Sequence, residues 1–197
     1  MDGEAMTSRK KQSIETRNRI FECATDLFAR ESYEKVKISD ICHAAGVSTG
    51  AFYHYFATKE NILNEGYRDF DRLVEAAWMA RERSDRMGDI RFLIRFQLES
   101  ISANGYIYAM QFFKNQLSNE EKYILNPDRF FYQTLKAVVA GAAEAGELCG
   151  DVFEITEAIL RVSRGTIYDW CLHEGSYEVI PRGISDIHMV LTYYGAK

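Results

Sequence analysis

The residues best suited to chemistry lie in a short polar and aromatic segment within the first third of the chain. Thr49, Tyr53 and His54 carry hydrogen-bonding groups, and Lys59 adds a positive charge. Gly50 leaves the backbone open to close approach by a partner. Such groups can donate to phosphate oxygens and reach the edges of base pairs. Because exposed aromatic rings are costly on an uncovered surface, the segment indicates a surface that binds nucleic acid.

Two short helices joined by a tight turn must position this segment. Within 38–45, apolar residues recur at helical spacing, with Ile41 and Ala45 on one side. Gly46 follows, and glycine adopts the left-handed backbone of a tight turn without steric cost. The hydroxyl group of Ser48 can then cap the next helix. Two short helices around such a turn are typical of a DNA-binding helix-turn-helix.

A longer helix on each side completes this arrangement. The apolar stripe of 14–30 predicts the helix before the turn, and Thr58 can cap a fourth helix that begins at Lys59. Phe52 and Phe56 are four residues apart, so both can anchor the helix after the turn to the helices before it. We therefore predict an N-terminal domain of three helices followed by a long fourth helix.

The rest of the chain shows helical periodicity and no alternating strand pattern of any length. The chain contains two prolines among 197 residues, so few positions forbid a helix interior. The start Asn126-Pro127-Asp128 favours a helix, because asparagine can cap it and proline suits its first turn. We predict an all-α protein of about nine helices, with later helices over 90–102, 106–117, 126–145, 155–174 and 181–194.

The distribution of charge along the chain changes what the net charge implies about binding to nucleic acid. The formal net charge of −5 argues, taken alone, against binding to nucleic acid. Within 1–60, however, nine basic residues balance nine acidic ones, and the stretch 8–20 has five basic residues against one acid. A local basic arm can meet phosphate while an acidic remainder faces solvent. The same run is also compatible with an ordinary solvated face.

The sequence lacks the patterns that are typical of enzymes, cofactor sites and metal sites. No nucleophile elbow, phosphate-binding loop, dinucleotide fingerprint or metal-ligand pair occurs, so we predict neither an enzyme nor a cofactor nor a metal site. The four cysteines have no zinc or redox-pair spacing and are interpreted as buried thiols, with redox sensing as the alternative. The acidic N-terminus and the lack of a long apolar run predict a cytoplasmic protein with no membrane partner.

The segment 32–63 resembles the N-terminal domain of the tetracycline-repressor (TetR) family of transcriptional regulators. The resemblance is densest in Ala45-Gly46-Val47-Ser48, in Phe52-Tyr53-His54-Tyr55-Phe56 and in Thr58-Lys59-Glu60. It implies two domains, 1–60 for DNA binding, with a basic arm at about 8–20, and 61–197 for effector binding and dimerisation. The later residues match the family in length and helical character.

The resemblance also implies roles for single residues. Tyr53 and Lys59 resemble residues that contact phosphate in members of the family. Lys37 departs from the family pattern, because members often have at this position a threonine that caps the second helix. Because lysine cannot accept a cap hydrogen bond, we expect the cap to come from elsewhere and Lys37 to reach phosphate. Packing of Tyr53 on the fourth helix, and solvated side chains for Lys59 and His54, are the alternatives. The expected DNA contacts are Lys37, Thr49, Gly50, Ala51, Tyr53, His54, Tyr55 and Lys59.

The C-terminal helices are apolar over more than half of their circumference, which indicates one face for the core and another for a partner. We expect a homodimer interface that includes Ile159, Val162, Ile187 and Leu191; a fully buried monomeric bundle is the alternative. The resemblance implies an effector pocket in the same domain, where aromatic residues concentrate. The residues expected to line it are Phe92, Phe96, Phe112, Phe113, Phe131, Tyr168 and Trp170.

Together these expectations describe a ligand-responsive regulator, most simply a repressor. Two copies related by a two-fold axis would bind a pseudo-palindromic operator in double-stranded DNA. A small effector of unknown identity would release the protein from DNA. The alternative is an architectural or division-control protein of the same fold, which binds DNA without an effector.

Overall fold

Eight α-helices and no strand form the part of the chain that the computed structural model describes, residues 8–31, 33–82, 85–118, 120 and 122–195. The all-α prediction is confirmed. None of the helices within these ranges is long and apolar enough to span a membrane. The helices are α1 (Ser8–Arg30), α2 (Ile38–Ala45), α3 (Thr49–Tyr55), α4 (Lys59–Ala80), α5 (Arg86–Ser118), α6 (Phe130–Glu144), α7 (Val152–Leu172) and α8 (Val179–Tyr194).

The chain divides into two compact units, Met1–Asn64 and Glu65–Lys197. In the first unit, α1, α2 and α3 surround a small apolar core. Its fully buried side chains include Ile20 and Phe28 from α1 and Phe52 from α3. Helix α4 begins in the first unit and continues into the second. Since α1 already begins at Ser8, the basic stretch 8–20 is helical.

Local cap chemistry fixes the turn between α2 and α3. Gly46 ends α2 with φ 61° and ψ 41°, the left-handed conformation predicted for it. The N–H of Val47 donates to the carbonyl of Cys42 at 3.0 Å and closes the turn. The hydroxyl of Ser48 then accepts from the N–H of Ala51 at 3.1 Å, so its predicted cap is confirmed. The chain therefore enters α3 in a single defined direction.

The second unit has a larger core, formed mainly by α5, α6, α7 and α8. Fully buried side chains from each of these helices meet there, among them Leu93, Leu135, Ile155 and Ile187. Helix α5 corresponds to two predicted helices that join at Gly105, where φ 81° and ψ 164° interrupt the helical backbone. Because the two segments continue into each other across this kink and form one element, the described residues contain eight α-helices where about nine were expected.

The predicted helix start at Asn126 is wrong by four residues. The side chain of Asn126 accepts from the N–H of Asp128 at 2.8 Å and forms a local turn instead of a helix cap. Helix α6 starts at Phe130, preceded by Arg129 as its N-cap. The guanidinium of Arg129 binds the carboxylate of Asp71 through two hydrogen bonds of 2.8 and 3.1 Å. This tertiary contact draws the chain at Arg129 onto α4.

Candidate nucleic-acid interface and the faces of the second unit

Helix α3 presents an outward face that is held by an inward aromatic anchor. Phe52 is fully buried and Phe56 nearly so. On the other side, Thr49, Gly50 and His54 are exposed, as is 54% of Tyr53. The Tyr53 ring packs edge-on against Phe52 with 5.5 Å between ring centroids. The geometry leaves hydrogen-bonding groups free on a rigid support.

Tyr55 and Ala51 lie to the side of this outward face. Both are half-buried. The Tyr55 hydroxyl donates to the hydroxyl oxygen of Ser13 in α1 at 3.2 Å. Its ring also meets His54 edge-on at 4.8 Å. Tyr55 thus ties α3 to α1 and limits the rotation of the outward face.

Lys59 makes contacts that its position in the sequence does not reveal. Its Nζ donates to the carbonyl oxygens of Tyr33 at 2.8 Å and of Val36 at 2.6 Å. The ammonium also lies 4.2 Å from the centroid of the Tyr33 ring, within reach of a cation–π interaction. Two of its three N–H donors are therefore used inside the first unit. They fasten the start of α4 to the segment that leads into α2.

The first turn of α4 carries further polar support. Thr58 Oγ1 accepts from the N–H of Asn61 at 3.3 Å, and Asn61 Oδ1 accepts from the N–H of Thr58 at 3.0 Å, so the predicted cap is confirmed. Burial alone would raise the pKa of Glu60, but hydrogen bonding by Thr58 and the nearby Lys59 ammonium bring that pKa below its ordinary value. Burial first, and then the Glu60 carboxylate, raise the pKa of the Tyr33 hydroxyl. Tyr33 is thus neutral beneath the Lys59 ammonium.

Lys37 differs from Lys59 because its side chain is exposed. It is the N-cap residue of α2 and makes no cap hydrogen bond with its side chain. The carboxylate of Asp40 instead accepts from the backbone N–H of Lys37 at 2.8 Å, which provides a cap contact from elsewhere, as expected. The Lys37 ammonium is therefore available to an anion outside the protein.

In the second unit, the seven residues expected to line a pocket fall into separate aromatic groups. Phe92 and Phe96 lie 6.2 Å apart, and Phe70 links Phe96 to Phe131 with centroid distances of 5.9 and 5.3 Å. Phe112 belongs to a group with Tyr67, whose ring lies 4.8 Å away.

The other three residues lie elsewhere in the unit. Phe113 meets Tyr168 at 6.0 Å, and half of Tyr168 is exposed on α7. Trp170 is a core residue whose indole N–H donates to the carbonyl of Tyr177 at 2.9 Å. Tyr168 and Trp170 therefore contact different surroundings from the cluster around Phe96.

Two arginines of the second unit lie against the faces of aromatic rings, a feature that the sequence did not indicate. Arg81 lies 3.9 Å from the Trp78 ring and 4.7 Å from the Phe92 ring, and its Nη2 is 2.7 Å from Asp89. Arg129 lies 5.0 Å from the ring of Tyr67. These rings are thus covered by cations of the chain itself.

Gln111, which directly precedes Phe112 in the sequence, is a buried amide with an unused hydrogen-bond donor. Gln111 is 2% exposed, and its Nε2 has no hydrogen-bond partner. An unpaired buried amide is costly, because it has lost water without gaining a protein acceptor. A ligand carbonyl or carboxylate would remove that cost.

An outward groove lies between α7 and α8. Its volume is about 410 Å³, and its lining includes Val162, Met189, Val190 and Tyr193. Met189 is 61% and Tyr193 80% exposed, which is unusual for large apolar side chains. The groove therefore offers an apolar surface for a partner.

This geometry changes which residues can form the expected dimer interface. Ile159 and Ile187 are fully buried and Leu191 is 5% exposed, within the core of their own unit. Only their neighbours on the outer side of the two helices can reach a partner. Of the four expected interface residues, Val162 is the one that lines the groove.

The cysteines and acidic residues form no further site among the described residues, where no group of three His, Cys, Asp or Glu side chains could hold a metal ion. Cys42 and Cys171 are buried free thiols, Cys23 is half-buried and Cys149 is exposed. Burial raises the pKa of Cys171 to about 11. The interpretation as buried thiols thus fails for Cys149.

Comparison with known proteins connects the first unit to one family. The sequence model described as "Bacterial regulatory proteins, tetR family" matches residues 20–65, which include α2, α3 and the turn between them. The HTH-type transcriptional repressor KstR2 of Rhodococcus jostii is 26% identical over 137 residues, which cover 66% of this chain and 64% of that protein. The chain therefore matches slightly less than two thirds of this relative's length.

Solved structures share the fold over nearly the whole chain. A regulator from Saccharomonospora viridis, in complex with choline, has a TM-score of 0.74 at 21% identity and covers 93% of this chain and 99% of its own. The regulator FadR from Bacillus subtilis, in complex with stearoyl-CoA, has a TM-score of 0.65 at 19% identity and covers 89% of this chain and 97% of its own. At these identities the likeness concerns the fold.

Proposed function

We propose that the chain is a ligand-responsive transcriptional repressor of the TetR type, since the model of the tetR family of bacterial regulatory proteins matches residues 20–65 and a known repressor is among its relatives. It binds a pseudo-palindromic operator as a homodimer, and a small effector releases it. The observation that carries the proposal is the outward face of α3, where Thr49, Gly50 and Tyr53 are free while Phe52 is locked inside. This role involves no catalysis and is carried out in the cytoplasm, where bacterial DNA lies.

In the DNA complex, Thr49, Gly50 and Ala51 approach base edges in the major groove. Tyr53 donates to a phosphate, and the exposed ammonium of Lys37 neutralises another. His54 lies beside them on the exposed face. The contacts to base edges recognise the sequence, and the contacts to phosphates position the protein on the duplex.

Two expected contacts take a different role in this proposal. Lys59 uses two donors on the carbonyls of Tyr33 and Val36, and Tyr55 is bonded to Ser13. Both residues therefore act mainly by positioning the surface that meets DNA. The third N–H of Lys59 remains compatible with a phosphate at the edge of the interface.

Dimerisation uses the groove between α7 and α8 and the exposed residues beside it. A second copy would cover Met189 and Tyr193 and thereby remove the cost of exposing them. The two-fold symmetry of such a dimer demands two DNA half-sites in inverted orientation. Val162 is the residue shared by this groove and the expected interface.

The effector is a molecule with an apolar body and a hydrogen-bond acceptor. The aromatic groups of the second unit supply the apolar surface, and the unpaired Nε2 of Gln111 supplies a donor. Proteins of the same fold were solved with choline and with stearoyl-CoA, so this fold accommodates ligands of differing chemistry. A thermal-shift screen separates this function from an effector-free architectural role, since a binding molecule raises the unfolding temperature.

The test of DNA binding uses the DNA upstream of the protein's own gene. Fluorescence anisotropy should show saturable binding to one segment, and Tyr53→Ala should weaken it about tenfold through loss of a charge-assisted hydrogen bond. Leu73→Ala is the matched control, because Leu73 is 53% exposed, like Tyr53, but lies in the second unit. Equal weakening by both variants would refute the proposed DNA contact of Tyr53.

A further inference from the structure

Arg81 and Arg129 both lie against aromatic rings of the second unit, but their hydrogen bonds differ. The guanidinium of Arg129 donates two hydrogen bonds, of 2.8 and 3.1 Å, to the carboxylate of Asp71. Arg81 also approaches a carboxylate, since its Nη2 lies 2.7 Å from Oδ1 of Asp89. The angle there is not that of a hydrogen bond, however, and both Nη2 and Nε of Arg81 are buried with no hydrogen-bond partner among the described residues. Arg129 is therefore satisfied where it lies, and Arg81 is not.

The place that Arg81 occupies suits its charge better than its hydrogen-bond donors. A guanidinium has five N–H donors, and each one that loses water without gaining an acceptor destabilises the folded state. The charge, in contrast, faces two aromatic rings, because Cζ of Arg81 lies 3.9 Å from the centroid of the Trp78 ring and 4.7 Å from that of the Phe92 ring. Both distances are within reach of a cation–π interaction. The same surroundings would therefore favour a cation that has no N–H groups.

Trp78, Phe92 and Asp89 together form what we call the cation cage. Aromatic faces attract a positive charge through the quadrupole of the ring, and aromatic cages of this kind bind quaternary ammonium groups. Asp89 adds the opposite charge and is 8% exposed, so its attraction for a cation is only weakly screened by salt. A quaternary ammonium group would gain these attractions without leaving any donor unpaired.

We propose that the cation cage binds an organic cation with an apolar body, and that the side chain of Arg81 occupies the cage until this ligand replaces it. The inference rests on the proposed effector and adds a positive charge to its chemistry. Arg81 directly follows α4, which ends at Ala80, so its side chain can leave the cage without unwinding a turn of that helix. The exchange replaces one buried cation by another, and the charge of Asp89 stays balanced throughout.

A row of aromatic rings beside the cage can receive the apolar body of the ligand. Phe92 lies 6.2 Å from Phe96, Phe96 lies 5.9 Å from Phe70, and Phe70 lies 5.3 Å from Phe131, all measured between ring centroids. The first three of these rings are only half-buried. A ligand that lies along the row would remove their remaining apolar surface from water.

The pair of Arg81 and Asp89 also gives the cage a connection to α4. Arg81 stands at the end of α4, and Asp89 lies in the first turn of α5, so their contact holds these two helix ends together. A ligand that takes the place of Arg81 removes this contact. Since α4 begins with Lys59 in the first unit, the exchange offers a physical route by which the effector acts on the domain that binds DNA.

Calorimetric titration of the full chain with phenyltrimethylammonium tests the cage. Arg81→Gln should bind this cation about tenfold more tightly than the parent does, because the ligand no longer competes with the guanidinium. Asp89→Asn or Phe92→Leu, each combined with Arg81→Gln, should remove that gain, since the opposite charge or one ring is lost. Arg86→Gln is the matched control, because Arg86 is a nearby arginine of α5 that pairs with Glu147 at 2.9 Å, and it should bind like the parent.

The outcomes separate the cage from a structural role of Arg81 and from the proposed function. If Arg81 only stabilises the fold, Arg81→Gln gains no affinity for the cation, and this result would overturn the cage. A gain that persists in both double variants, with helices intact by circular dichroism, would overturn it as well. The uncharged isostere tert-butylbenzene should bind at least tenfold more weakly, and equal binding would refute recognition of the charge.

An operator titration with the same cation, against sodium chloride of equal concentration, distinguishes the two proposals. Release from operator by the cation, and at lower concentration for Arg81→Gln, is the expected result. Binding in the predicted pattern without release would leave the cage in place and overturn its role as the effector site. Release by a different molecule from the thermal-shift screen, with no binding of the cation, would support the proposed function and overturn the cage.

Discussion

Two lysines of the first unit show how burial decides the role of a charged residue. The Lys37 ammonium is exposed, whereas the Lys59 ammonium is bonded to two carbonyls of its own chain. A lysine that neutralises a phosphate displaces condensed cations from DNA, but a lysine that holds a loop does not. The two side chains should therefore differ in how their loss changes the salt dependence of binding.

We predict that Lys37→Met lowers DNA affinity and reduces the slope of log K against log salt by about 1. Lys59→Met should lower affinity at every salt concentration and leave the slope nearly unchanged, because it loosens the segment at Tyr33 and Val36. Anisotropy titrations between about 50 and 200 mM salt measure both slopes. A slope change for Lys59→Met equal to that for Lys37→Met would show that Lys59 is mainly a phosphate contact.

The thiols should differ in reactivity because they differ in exposure. Cys149 is exposed, whereas burial raises the pKa of Cys171 to about 11 and so keeps that thiol protonated at neutral pH. At pH 7.5 a maleimide reagent should label Cys149 within minutes and leave Cys171 unlabelled until the protein unfolds. Mass spectrometry of the digested protein identifies the labelled positions. Rapid labelling of Cys171 would indicate that α7 and its surroundings open locally.

At the scale of helices and turns, two nearby glycines should have separable effects. Gly46 has φ 61°, a conformation that an L-residue adopts at a cost, whereas Gly50 is exposed in the first turn of α3. Gly46→Ala should destabilise the protein by roughly 1 kcal/mol, measured by urea unfolding. Gly50→Ala should not lower stability but should weaken DNA binding, since the added methyl group obstructs close approach. If Gly50→Ala binds DNA like the parent, Gly50 does not lie against DNA.

Local rules predicted this part of the fold well. The turn at Gly46 and the caps by Ser48 and Thr58 depend on residues only a few positions away, and a sequence pattern includes them all. Such rules cannot predict tertiary contacts, because these contacts join residues that are far apart in the sequence. The bond from Lys59 to Tyr33 spans 26 positions, and the Arg129–Asp71 pair that precedes α6 spans 58.

Periodicity also predicted that α7 and α8 are apolar on more than one side, but it did not separate the sides. Ile159, Ile187 and Leu191 have the spacing of an interface stripe, yet the second unit buries them in its own core. The outward face of α7 and α8 can be recognised only after the residues that the structure buries in the core are set aside.

At the scale of the whole molecule, the proposed function links effector binding and DNA binding through one free-energy cycle. An effector shifts the protein off DNA only if it binds the DNA-free state more tightly. A hundredfold loss of operator affinity corresponds to a coupling of about 3 kcal/mol. Operator DNA must then weaken effector binding by the same factor. Calorimetric titration of a screened molecule, with and without operator, tests this equality; identical affinities would exclude gating by that molecule.

In the proposed function, a two-fold symmetric dimer recognises a specific DNA sequence through α3. Footprinting of the DNA upstream of the protein's own gene, combined with sedimentation of the resulting complex, tests it most directly. We predict one protected pseudo-palindromic segment, an even number of protomers on each duplex, and loss of protection by Tyr53→Ala but not by Leu73→Ala. Protection without sequence preference, or a single protomer on a duplex, would refute sequence-specific recognition by a two-fold dimer.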